Sequence, residues 1–171
     1  MRIFALAFAA LALSACASVP ARPATEVSYR ASLDVGDTNS GSAARADATV
    51  GLDTAVQTVS AHIVVHGIKM SDLAAHLAHA PMGAIHLHLY KPNGEVVLIY
   101  PFPMGDAYAE TADGFAVTVS NASYAAGAAI LHSELNFADF KTALDSGQVV
   151  LNIHTQHFPD GEINGKVVPA R

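Results

Sequence analysis

Histidines alternating with aliphatic residues restrict this chain's fold more than any other feature. In residues 84–90, AIHLHLY, Ile85, Leu87 and Leu89 point one way, and His86 and His88 the other. A strand repeats every two residues and a helix every 3.6, so only a strand keeps these two sets on separate faces. Residues 149–168, VVLNIHTQHFPDGEINGKVV, follow the same rule. Val149, Leu151 and Ile153 alternate with Val150, Asn152 and His154. Phe158-Pro159-Asp160-Gly161 is turn chemistry, Pro presetting one dihedral and Gly supplying a positive φ. A second strand then separates Glu162, Asn164 and Lys166 from Ile163 and Val167.

The rest of the chain fits around these two stretches. Residues 26–35, 45–53 and 55–68 read as strands, the last with His62, Val64 and His66 on one face. Residues 71–80, SDLAAHLAHA, change character: Ser71 suits a cap, Leu and Ala favour a helix, and Pro81 would stop it. His76 and His79 would share a face of that helix. Asn93-Gly94 between the strand at 84–90 and the apolar run 95–100 is a strong hairpin signal. Residues 101–113 read as loop, and Phe115, Val117 and Val119 as strand. Asn136 reads as the cap of a helix carrying Phe137, Phe140 and Leu144, which Gly147 ends. Seven to nine short strands and two short helices amount to an all-β, Greek-key or immunoglobulin-like β-sandwich.

The N-terminus belongs to a different kind of segment. Arg2 precedes an apolar run at 3–13, too short to span a bilayer, and Leu13-Ser14-Ala15-Cys16 resembles the bacterial lipobox. That resemblance implies a signal peptide over residues 1–15, export, and a diacylglyceryl group on Cys16. Residues 16–25 would be a tether and 26–168 the folded domain. Ala17, where an aspartate would retain the protein, points to the periplasmic side of the outer membrane. Two acyl chains suffice for stable anchoring.

Histidine is the commonest metal ligand, and this chain has 9, as many as its Lys and Arg together. His86, His88 and His154 are the candidate metal ligands, with His66, His79, His132 and His157 as candidates for a fourth position. Imidazole suits copper and, second to it, zinc. Asp160 or Glu162 would add a ligand or accept an imidazole N–H. Asn152, Gly161, Glu162 and Gly165 read as architecture of the turn. A formal charge of −6 argues against nucleic acid as a partner, since the phosphate backbone needs a basic face. Ser133 beside His132 makes no triad, and no other nucleophile motif appears.

The closing stretch resembles the CHRD (chordin-like) domain through Asn152, His154, Thr155, Pro159, Gly161, Glu162, Ile163 and Gly165. The segment AIHLHLYKPNGEVV is similar to that family's earlier motif through His86, His88, Asn93, Gly94, Val96 and Val97. The resemblance implies an extracytoplasmic β-sandwich and no defined activity. The order of His86, His88 and His154 is also similar to the copper ligands of Cu/Zn superoxide dismutase, although the zinc loop and disulfide of that family have no counterpart here. The expectation is an exported, lipid-anchored protein binding copper through surface histidines for storage, delivery or tolerance. The alternatives are a copper-dependent dismutase-like enzyme, and an adhesion or scaffold module that needs no metal.

Overall fold

The computed structural model describes residues 25–170. The signal segment, Cys16 and nearly all of the tether lie outside the described residues. The strands form two antiparallel sheets packed face to face. The larger runs in the order β10-β1-β2-β3-β7-β6 and the smaller in the order β5-β4-β8-β9. The first contains β1 (Glu26–Leu33), β2 (Arg45–Asp53), β3 (Thr58–His66), β6 (Tyr108–Thr111), β7 (Gly114–Ser123) and β10 (Val168–Pro169). The second contains β4 (Ile85–Tyr90), β5 (Val96–Pro101), β8 (Val149–Ile153) and β9 (Ile163–Lys166). The neighbours β3 and β7, and likewise β4 and β8, are joined only through the opposite sheet, as in Greek-key connections.

In β1 to β3 burial follows the two-residue alternation: Tyr29, Ala31, Leu33, Val50, Leu52, Val59, Ala61, Ile63 and Val65 are interior, and the residues that alternate with them are exposed or half-buried. The smaller sheet supplies the other half of the core with Leu87, Ile99, Leu151, Ile153 and Ile163. Along one edge the sheets meet directly. Asp34 and Asn164 exchange two backbone hydrogen bonds of 3.1 and 2.9 Å. Gly165 lets the chains approach there, because a Cβ on it would collide with the Ser32 carbonyl.

Two helices seal the sandwich. In α3 (Phe137–Asp145) the Asn136 side chain caps the Asp139 N–H at 3.0 Å. Phe137, Phe140, Ala143 and Leu144 are buried, and the Tyr29 hydroxyl donates to Asp145 at 2.7 Å. In α2 (Tyr124–Ile130), Ser123 is the cap, and Tyr124 stacks on Phe140 with ring centroids 4.7 Å apart.

Three sequence expectations are corrected. The helix over 71–80 is reduced to a 3-10 turn, Met70–Asp72, and the single helical turn α1 (Ala75–Ala78). Leu73 is extended and bridges Thr155, which withdraws the middle of the segment from a helical ladder. Within the loop expected at 101–113, Tyr108–Thr111 pairs with β7; only Tyr108 of that strand is buried, so it carries no alternation to read. The described residues hold three α-helices rather than two, because α2 starts in an Ala/Ser stretch without a periodic apolar stripe.

Candidate metal centre

The outer face of the smaller sheet is where the histidines meet. β4 and β8 pair antiparallel with His86 opposite Asn152 and Ile85 opposite Ile153. Cross-strand partners share a face, so the alternation that buries Leu87 and Leu151 lifts His86, His88 and Asn152 to the other side. His154 follows one residue beyond β8, on that same side. The ring centroids of His86, His88 and His154 stand 5.1, 5.7 and 5.8 Å apart.

This face is not open to water. Every residue of β8 is buried, on both sides of the strand. His86 is 2% and His154 7% exposed, while His88 is half-buried. The expectation of surface histidines is therefore corrected. The cover is the connection between β3 and β4. Its Ala74 N–H donates to the His154 carbonyl at 3.1 Å, and its Asp72 carbonyl accepts from the Gln156 N–H at 2.9 Å. The His154 N–H in turn donates to the Ala84 carbonyl at 2.9 Å.

Two rings are held by backbone carbonyls. His86 Nε2–H donates to the Gly83 carbonyl and His154 Nδ1–H to the Pro159 carbonyl, each at 2.8 Å. Each bond settles a tautomer and leaves the other nitrogen with a free lone pair. Those nitrogens, His86 Nδ1 and His154 Nε2, are buried without a hydrogen-bond partner, and so is His88 Nε2. A buried polar atom left unpaired costs about 1–3 kcal/mol, so three at one spot call for an explanation. One ligand atom from each of the three lies within 4.8 Å of the others. That is wider than the roughly 4 Å that two metal–nitrogen bonds of about 2 Å can bridge, so the rings must draw inward by up to about 1 Å to share one ion. The cluster can hold a metal ion.

Burial works in the same direction. It pushes His86 down to about 4, with repulsion from His154 adding and the bond to Gly83 opposing. His88 is also pushed down to about 4, by burial and then by its two neighbours. His154 is lowered chiefly by burial, against the pull of Pro159 and Asp160 and with a push from His76. Neutral imidazoles are the ligating form.

The other candidates stand elsewhere. His66 pairs with Asp113 at 3.2 Å on the larger sheet. His79 caps the end of α1, and His132 follows α2 with φ of +50°. His157 is exposed in the turn. None joins the group of three among the described residues. Neither Asp160 nor Glu162 orients a ring: the backbone carbonyls of Gly83 and Pro159 do, and backbone acceptors leave no mark in a sequence. Glu162 instead ties the turn down. Its carboxylate accepts from the Ser42 hydroxyl at 2.6 Å and from the buried Thr155 hydroxyl at 2.7 Å. Gly161, with φ of +126°, packs under Asn152, whose carboxamide would collide with any Cβ there. Asn152 donates to the Asp160 carbonyl at 3.3 Å, and its Oδ1 is a fourth buried acceptor without a partner.

Fold and site together define a β-sandwich with a covered three-histidine cluster outside its core. The sequence model of the CHRD domain matches residues 25–167, and the chain belongs to the CHRD domain family. Neither the curated proteins nor the solved structures include a significant match.

Proposed function

We propose that this CHRD-domain protein binds a transition-metal ion, copper ahead of zinc, through His86, His88 and His154, and that it serves metal storage, delivery or tolerance. The observation that carries this reading is the convergence of three buried, partnerless ring nitrogens from two paired strands. A ring nitrogen in solution would find water; here a partner that serves all three nitrogens at once is a cation, with His88 taking the tautomer that leaves Nε2 unprotonated. At an all-nitrogen site the general affinity order favours copper over zinc. Copper in this cluster would supply Lewis acidity and one-electron chemistry; what the chain itself does is hold two rings in fixed tautomers and shield them.

Export and lipid attachment belong to the same proposal and rest on the N-terminal sequence. An extracytoplasmic site meets metal from outside the cell, and a lipid on Cys16 would keep the site at a membrane. Cys16→Ser should release the protein from the membrane fraction; a variant that stays membrane-bound overturns the anchor.

The metal reading is tested on protein purified without a histidine tag. The wild type should retain about one equivalent of copper after dialysis, and His86→Ala/His88→Ala should retain none while keeping its far-ultraviolet circular dichroism. Equal retention by a folded double variant removes the site. A superoxide-decay assay on the copper-loaded chain separates carriage from turnover, and carriage expects no acceleration beyond a metal-free control.

A further inference from the structure

We propose that the ion this site is built for is monovalent copper. The inference rests on the metal reading above and narrows it to one oxidation state. The first observation is the donor set, three neutral imidazoles. No carboxylate or thiolate belongs to the group among the described residues. The nearby acids are turned to other work: Glu162 is taken by the Ser42 and Thr155 hydroxyls, and Asp160 stays exposed on the turn. No ligand of the group carries a negative charge to neutralise an ion bound here, and Asp160 acts on His154 only from the exposed turn. The solvation lost on burial rises with the square of the ion's charge, so a dication loses about four times as much as a monocation. His86 and His154 are almost wholly buried, which makes this difference large.

The second observation is the number of donors. Three nitrogens complete a trigonal shell for the monovalent ion. Divalent copper prefers a tetragonal shell, and structural zinc requires four protein ligands. Two of the three rings are also anchored to backbone carbonyls, of Gly83 before β4 and of Pro159 after β8. His76 on α1, which repels a charged His154, is exposed and outside the group. A fourth position for a divalent ion would fall to the amide oxygen of Asn152, a harder donor than imidazole that suits monovalent copper poorly, or to water.

The test measures three affinities for the full chain at pH 7. Monovalent copper is titrated anaerobically under ascorbate against a bicinchoninate chelator, divalent copper against an aminocarboxylate chelator, and zinc against a zinc-specific dye. The expected order places monovalent copper about 100-fold tighter than divalent, equivalent to raising the potential of the bound couple by about 120 mV at 59 mV per tenfold. X-ray absorption of the reduced complex should show three nitrogen neighbours. Divalent copper or zinc binding as tightly as the monovalent ion, or a four-coordinate reduced complex, overturns this inference and leaves the metal site standing. Binding of all three ions no tighter than by His88→Ala, the least buried ligand and the safest to replace, removes the site and the inference together.

Discussion

His86 answers to two constraints at once. Its Nε2–H is held by the Gly83 carbonyl, and burial with a neighbouring imidazole pushes it down to about 4. In the unfolded chain the same ring titrates near 6.5. Between those values the unfolded state takes up a proton that the native state refuses, so the stability of the metal-free protein rises with pH. It is fully present above pH 6.5 and is lost as the pH falls from there toward 4, at up to about 1.4 kcal/mol per pH unit for each such ring. His88 behaves likewise, and lowering of His154 has the same sign. Urea midpoints of metal-free protein measured from pH 7.5 to pH 4 should fall along this curve, and His88→Leu should flatten it. A midpoint unchanged across the window would mean that the three rings are hydrated in solution.

Among the elements, the turn between β8 and β9 is the one on which the site depends most directly. It supplies the Pro159 carbonyl, and it is clasped by Glu162 to Ser42 in the loop after β1 and to Thr155 in the turn itself. Glu162→Ala takes the acceptor from the fully buried Thr155 O–H and should lower unfolding free energy by about 1–3 kcal/mol, with Glu162→Gln costing less because one oxygen still accepts. Chemical denaturation of the two variants reads the difference; equal midpoints to wild type would show the clasp to be idle. The crossing of β9 over β1 is more demanding. Gly165→Ala drives a methyl into the Ser32 carbonyl, and a soluble variant should lose at least about 2 kcal/mol unless the two strands separate. Helix α3 depends on its cap, and Asn136→Ala should cost about 1 kcal/mol.

For the whole molecule, the proposed metal binding would be linked to folding. The three ring nitrogens are brought together by the pairing of β4 with β8, which unfolding destroys, so an ion that binds only the native state stabilises it. At free metal of a hundred times Kd the gain is about 2.7 kcal/mol, or roughly 5–10 °C in Tm for a domain of this size. Calorimetry with and without copper should show that rise in the wild type and none in His86→Ala/His88→Ala. A rise shared by both would place the metal elsewhere on the protein.

What the amino-acid sequence determined by itself was pattern. Period-two alternation in 84–90 and 149–154 is enough to require strands with aliphatic residues on one side and histidines on the other. Asn93-Gly94, Asn136 and Gly147 announce a hairpin and a helix, because turn and cap chemistry is local. Tertiary structure decided the rest. His86 and His154 became buried because the connection after β3 hydrogen-bonds across them, and the same bonds prevented a helix that Ser71 and the alanines otherwise favour. His66, His79, His132 and His157 carry the same side chain as the three that converge. Only strand register, which depends on contacts between residues far apart in the chain, such as Ile85 with Ile153, selects His86, His88 and His154. The carbonyls of Gly83 and Pro159 fix two of the rings, and every residue has a carbonyl, so folding alone could choose which two would serve.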